Sequence, residues 1–223
     1  MKNFLFFIRH FLDMPKTIII NLKLFKFGIA KRLPIYVSRH VKMKGLKKGS
    51  FIISSERIKP FMIRIGNGGL YAIAPNRKSL IHIVKDGKIV FYGTANLSKG
   101  LFVRVGGRLE IGDNFYANSN LSVICSASIK FGKNVLIGWN VSFRDCDGHK
   151  ILKNGETINA NENITVGNHV WVCQDVCFLK GSGVLDDCVV GMGSLVTKFI
   201  NLSNALIVGS PAKVVKEDIS WVE

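Results

Sequence analysis

The 223-residue sequence has no cysteine pair of the CxxC kind. Its five cysteines, Cys125, Cys146, Cys173, Cys177 and Cys188, are odd in number and scattered. That excludes a zinc ribbon and a disulfide-stapled scaffold, and reads as reduced thiols in a cytosolic protein. No uncharged apolar run approaches the ~20 residues of a membrane-spanning helix. Acidic residues are scarce, 15 against 31 Lys and Arg, for a formal net charge of +16. The shortage is local: residues 1–64 hold 15 of the basic residues and only Asp13 and Glu56, whereas the remainder is close to balanced. With 48% hydrophobic and 21% charged residues the chain buries a core, which excludes global disorder. Its length suits one large domain, or one domain with a small appendage.

A basic block suits nucleic acid, an anionic membrane or an acidic ligand. Within this one, Phe4–Ile8, Phe11 and Leu12 are interleaved with Lys2, Arg9 and His10, and Thr17–Leu22, Phe25 and Phe27 with Lys23, Lys26, Lys31 and Arg32. Apolar and basic residues so mixed describe either an interfacial element on an anionic leaflet or an amphipathic helix covering one end of a domain. Arg9 and Asp13 interrupt the apolar stretch and no small-residue cleavage site follows, unlike a secretory signal. No helix-turn-helix, zinc-finger or RNA-binding signature supports nucleic acid.

The second half repeats every six residues. Val166, Val172, Phe178, Val184, Val190 and Val196 are all apolar, and four residues after the first five of them stand Val170, Val176, Ser182, Cys188 and Ser194, all small or β-branched. Upstream, the period runs through Val105, Ile111, Ala117 and Val123, shifts by two, and continues through Phe131, Ile137 and Phe143. Before residue 100 the chain is strand-like but aperiodic, with candidates at Phe51–Ser54, Phe61–Ile65 and Ile89–Tyr92. Six is not a helical period. It fits a short strand and a corner per block, three blocks closing a triangular coil whose strands stack at roughly 4.8 Å. This pattern resembles the hexapeptide-repeat family, whose fold is a left-handed parallel β-helix. The handedness comes from the resemblance. The expected fold is an all-β solenoid over 51–200, with a basic, partly helical segment at 1–50 and a cap at 201–223 that the family often builds as a short helix carrying Trp221.

From Phe143 to Val166 is 23 residues, not a multiple of six, so a loop at 144–165 leaves the coil. It contains Asp145-Cys146-Asp147-Gly148-His149. In isolation this is better explained by a surface imidazole beside solvated acids. The D-x-D-x-H order after IGWNVS is similar to that of hexapeptide-repeat acetyltransferases of cell-surface saccharides, which implies that His149 is the general base, oriented by Asp145 or Asp147. His169 reads as an exposed corner residue, and His10, His40 and His82 lack partners in sequence. The carbonic-anhydrase branch of the fold uses three His ligands, two of them close in sequence; no such pair is present, so no catalytic zinc is expected.

Downstream, Val190–Lys198 followed by Gly209–Lys213 resembles the end of the acetyl-CoA site in hexapeptide acyltransferases. A GxG alone is repeat chemistry, and no dinucleotide fingerprint is present. The resemblance implies that Gly191, Met192, Gly193 and Ser194 line the pantetheine arm, their backbone groups pairing with its amides. Thr197, Lys198, Pro211 and Lys213 then lie towards the phosphates. Trp171 and, in the block before the loop, Trp139 with Asn140 wall the thioester, or serve subunit packing. The family commonly has Gly two residues after the Trp, where this chain has Cys173, which puts that backbone contact in doubt. The resemblance also implies direct transfer without a cysteine nucleophile, a homotrimer with shared clefts, and a saccharide acceptor. The basic segment at residues 1–48 adds peripheral contact with an anionic membrane, at the inner face of the cell membrane. Other readings are an acetyltransferase for an amino sugar, antibiotic or serine, and a non-catalytic solenoid that binds a partner. Nucleotidyl transfer lacks the extra α/β domain it usually needs.

Overall fold

Strands that alternate inward apolar and outward polar residues wind the chain into three parallel sheets, faces A, B and C. The structure is a computed structural model and describes residues 10–68 and 78–222. A complete turn runs Phe115–Ala117 on face A, Ser122–Cys125 on face B and Ser128–Phe131 on face C, and the next begins at Leu136–Ile137 on face A. In the last turns the partners Val166↔Val184, Val172↔Val190 and Phe178↔Val196 stand three six-residue blocks apart. In the middle turns face B carries three inward residues, Leu101, Val103 and Val105, then Leu121, Val123 and Cys125, where the other faces carry two, which adds two residues to the turn. The single two-residue shift seen in the sequence is one instance of that longer turn.

The inward positions form one continuous core. Phe115, Phe131, Phe143 and Phe178 stack along its axis, with ring centroids 5.1, 4.8 and 4.8 Å apart. The turns stay in register because two of the three corners are held in the left-handed backbone region. On the A–B edge Gly100, Asn120, Asn140, Asp175 and Gly193 have positive φ, as do Asn114, Asn134, His169, Asp187 and Asn204 on the C–A edge. Asn and Asp tolerate this conformation, and they tie successive turns: Asn120 Nδ2 donates to Asn140 Oδ1 at 2.8 Å, and Asn140 Nδ2 to Asp175 Oδ1 at 2.9 Å. The B–C edge has no such uniform column.

Both ends of the prism depart from expectation. The coil begins at Ile35–Val37, Val41–Lys44 and Phe51–Ile53, ahead of residue 51. The helix Met14–Leu24 shields the first strand of face A, whose edge would otherwise be open to pairing. Thr17 Oγ1 accepts from Val37 N at 3.1 Å, while Asn21 Nδ2 donates to Ile35 O at 2.6 Å and its Oδ1 accepts from Ile35 N at 3.2 Å. At the other end, the expected C-terminal helix is instead an antiparallel strand pair, Leu206–Gly209 with Ala212–Lys216. The β-branched Val214 and Val215 favour extended backbone, Val214 packs against the core, and Gly209 takes φ +106 at the turn. No helix among the described residues is long and apolar enough to cross a membrane. Residues 1–9, which carry the first aromatic cluster of the basic block, lie outside the described residues.

Candidate active site

The chain leaves the prism once in the middle turns, between Ser142–Arg144 on face B and Ile164–Val166 on face C. This is the irregular B–C edge. The excursion contains a hairpin, Leu152–Lys153 with Glu156–Thr157, turned by Asn154 and Gly155 at positive φ. Asn159 holds the loop's shape: its Oδ1 accepts from Ile151 N at 2.7 Å, and its Nδ2 donates to Asp147 Oδ2 at 2.7 Å and to His149 O at 2.8 Å. Lys180, one turn further on, donates to Asp147 Oδ2 at 2.6 Å and to Ala160 O at 3.3 Å, anchoring the loop to the coil. The Lys180 hydrogen bond, and after it that of Asn159, holds the Asp147 carboxyl below its ordinary range.

His149 is exposed and lines a cleft of about 470 Å³ between the loop and face B. Among the described residues no side chain hydrogen-bonds its imidazole. Neither neighbouring carboxylate does what the sequence spacing suggests. Asp145 is fully buried and faces back into the preceding turn, where its two oxygens accept from Ser126 N at 2.7 Å and Ala127 N at 2.8 Å. It caps a corner, and the backbone adopts that corner because those amides find a carboxylate. Asp147 faces Lys180 and Asn159. The rest of the cleft was not legible as a site in the sequence: Arg104, Ile124 and Arg144 form its floor on face B, and Ser126, Cys146 and Lys150 border it. The Ser126 hydroxyl lies 3.3 Å from Cys146 Sγ. Arg104 and Arg144 are two middle turns apart in sequence, and only the turn length brings them to one column.

The proposed donor residues fall in two places. Trp139, Asn140, Cys173, Gly191, Met192, Gly193 and Ser194 share the A–B edge in the last three turns, with Trp171 beside them on face A. Thr197 and Lys198 lie on the B–C edge, two turns beyond the loop, and Pro211 and Lys213 belong to the terminal hairpin. The space beside Gly193 is open, and Met192 is 70% exposed. Lys198 and Lys213 are exposed and meet no carboxylate among the described residues. This fits an elongated, phosphate-bearing donor. Four backbone amides near this edge are engaged within the coil. The amides of Trp171, Cys173, Gly191 and Gly193 already donate to Cys188 O, Val190 O, Ile207 O and Gln174 O at 2.8–3.0 Å. The Trp171 and Cys173 amides are thus occupied by the coil's own ladder. Burial pushes the Cys173 thiol above its ordinary value, which disfavours a thiolate nucleophile.

Trp221 does not cover the last turn. It folds back onto the C–A edge, stacks on His169 with ring centroids 4.3 Å apart and 11° between planes, and donates from Nε1 to His169 O at 2.9 Å. His169 Nδ1 lies 2.8 Å from Asp187 Oδ1. The corner His is thus the seat of the C-terminal tail.

No protein-family model matches the chain. It is 37% identical over 120 residues to a galactoside O-acetyltransferase of Escherichia coli (strain K12), covering 52% of this chain and 58% of the relative. It is 37% identical over 106 residues to a polysialic acid O-acetyltransferase of Neisseria meningitidis, covering 47% and 49%. The chain therefore spans about half the length of these curated relatives. Among solved structures, the polySia specific acetyltransferase NeuO superposes with a TM-score of 0.60 at 20% identity, over 85% of this chain and 79% of that one. That likeness shows the fold.

The placement of Asp145 generates a prediction. Asp145→Asn leaves one of two buried amides without an acceptor and should lower stability by about 1–3 kcal/mol, read by denaturant unfolding. Unchanged stability would contradict the corner-capping role.

Proposed function

We propose that this chain is a hexapeptide-repeat acyltransferase of the left-handed parallel β-helix kind and transfers an acetyl group from acetyl-CoA to a hydroxyl of a cell-surface saccharide. The observation that carries the reading is the position of His149. It stands on a long excursion from a rigid coil, over a cleft large enough for a sugar, beside a floor that the coil fixes. Acetyl-CoA supplies the acetyl group as a thioester. His149 accepts the proton of the acceptor hydroxyl. The hydroxyl oxygen forms the ester bond to the acetyl carbon as the C–S bond breaks, and the imidazolium returns its proton to the departing thiolate. With Asp145 and Asp147 engaged elsewhere, the Asn159 contact to the His149 carbonyl positions the base through the backbone. The coil supplies orientation, the usual source of much of the rate in direct transfer.

His149 stands on the B–C edge and the pantetheine-lining residues on the A–B edge. The full width of face B separates them within one chain. A second copy that sets its A–B edge against the loop joins the two halves, which favours a homotrimer with three shared clefts.

The N-terminal end supports a peripheral membrane position. The helix Met14–Leu24 buries Met14, Ile20 and Leu24 and exposes Ile18, Ile19 and Leu22; Phe11, Leu12 and Phe27 are exposed beside it. Lys23, Lys26, Lys31 and Arg32 rim this patch. Its one acid, Asp13, is taken by the Tyr36 hydroxyl and by Arg39 N at 2.8 Å. An apolar surface with a cationic rim suits an anionic leaflet, and the acceptor is then membrane-associated, such as a lipid-linked glycan.

His149→Ala should keep the fold, checked by circular dichroism, and lower turnover by ~10²–10⁴ in a coenzyme A release assay; wild-type turnover would end the proposal. Replacing Ile18, Ile19 and Leu22 with Gln should reduce sedimentation with phosphatidylglycerol vesicles by at least roughly tenfold. Equal sedimentation of variant and wild type would remove the membrane role.

A further inference from the structure

The strand register of face B stacks Lys44, His82, Arg104, Ile124 and Arg144 in one outward column, each beside the next. At roughly 4.8 Å per turn, Arg104 and Arg144 stand about 10 Å apart and Lys44 about 19 Å from Arg144. Lys44, Arg104 and Arg144 are exposed, and among the described residues none meets a carboxylate. The neighbouring outward column of the same face begins with Lys42, Leu80 and Phe102, Phe102 being 40% exposed. No outward residue of the face B strands is acidic. The cleft at the far end has the same sign. Arg104, Arg144 and Lys150 line it, and its one carboxylate, Asp147, is matched by Lys180.

Among the described residues the strands of face B therefore present only cationic, neutral or apolar groups, and the carboxylates at its border, Asp86 and Asp147, are each paired to a lysine, Lys47 and Lys180. A ligand that gains from all of them carries regularly spaced negative charge along one side and ring C–H surface along the other. Arginine forks hold carboxylate and phosphate alike, and the face of Phe102 suits a sugar ring. A nucleic acid would need stacking platforms in series, and among the described residues the strands of the face turn one large aromatic ring outward, Phe102.

We infer that face B is a track for an acidic saccharide chain, whose charged group beside the acetylated hydroxyl sits between Arg104 and Arg144 and whose further units extend along the column to Lys44. This deepens the acetyl-transfer reading and rests on it for the identity of the reacting hydroxyl. Binding of the chain along the face does not depend on the chemistry. The track runs from the N-terminal end of the prism to the imidazole.

Three acceptors of matched length separate the outcomes: neutral dextran oligomers, uronic acid oligomers, and a poly(glycerol phosphate) chain. Binding is measured by calorimetry without acetyl-CoA, and KM by coenzyme A release. The track predicts that an acidic chain binds at least tenfold more tightly than dextran at low salt, and that the advantage shrinks as salt rises. The preferred acidic chain tells carboxylate from phosphate recognition. Arg104→Gln and Arg144→Gln should each weaken acidic-chain binding about tenfold without changing dextran binding, and Lys44→Gln should weaken long chains more than short ones. Equal binding of neutral and acidic chains overturns the inference. So does tighter binding of single-stranded DNA than of either acidic saccharide. A changed solution mass for Arg104→Gln also overturns it, since the face would then be an interface between copies. Acidic-chain binding with no acetyl transfer to any acceptor retains the track and removes the catalytic reading.

Discussion

The architecture depends on corners that must turn in the left-handed backbone region. On two edges of the prism that demand is met in each turn from Gly100 onward by Gly, Asn, Asp or His, and the Asn and Asp side chains also bond to the turn above. The corner therefore does two things. It bends the chain, and it locks the rise from turn to turn, so that residues many positions apart in sequence share a column. Glycines beside the corners serve the same closeness: a Cβ on Gly132 would stand 2.5 Å from the Gly167 carbonyl oxygen. The third edge lacks this constraint. It takes the whole excursion between Arg144 and Ile164. The loop with His149 emerges where the coil's geometry is least prescribed, while the floor beneath it stays fixed.

Much of this was legible in the sequence. From Val166 onward the six-residue period is strict because each turn holds three identical steps. In the middle turns it slips because face B strands are longer, with Val103 and Val105 both inward. In the first turns long connections between Ile53 and Ile63, and between Ile65 and Ser79, hide the period altogether. The terminal hairpin was obscured by expecting a helix, although Val214 and Val215 and the Gly209 turn favour strands. Trp221 packs on the C–A edge, where His169 offers it a ring and a carbonyl that nothing in the sequence indicates.

The position of His149 on a loop outside the coil was legible in the sequence, and its surroundings were not. Asp145 and Asp147 flank His149 in sequence, but a coil sends successive residues to different places: Asp145 inward to the Ser126 and Ala127 amides, Asp147 across to Lys180. The amides near Trp171 and Gly191 resembled contacts for a coenzyme, yet a parallel ladder uses such amides for the next turn. Arg104 and Arg144 gave no local signal, since their proximity exists only through the turn length. The basic excess of residues 1–64 lies on the rim of the N-terminal cap and, through Lys42 and Lys44, at the start of face B, where Arg104 and Arg144 from the balanced part of the chain continue it.

The central claim is that one catalytic cleft is assembled from the His149 loop of one copy and the A–B edge of another. Co-assembly of two disabled variants tests it most directly. His149→Ala removes the base, and Met192→Asp sets a carboxylate on the donor edge; each alone should be inactive. Refolded together in equal amounts, random mixing restores both halves in about one quarter of the clefts, and coenzyme A release should recover to about that fraction of wild type. If the mixture stays as inactive as its components, the cleft is not shared between copies and the account fails.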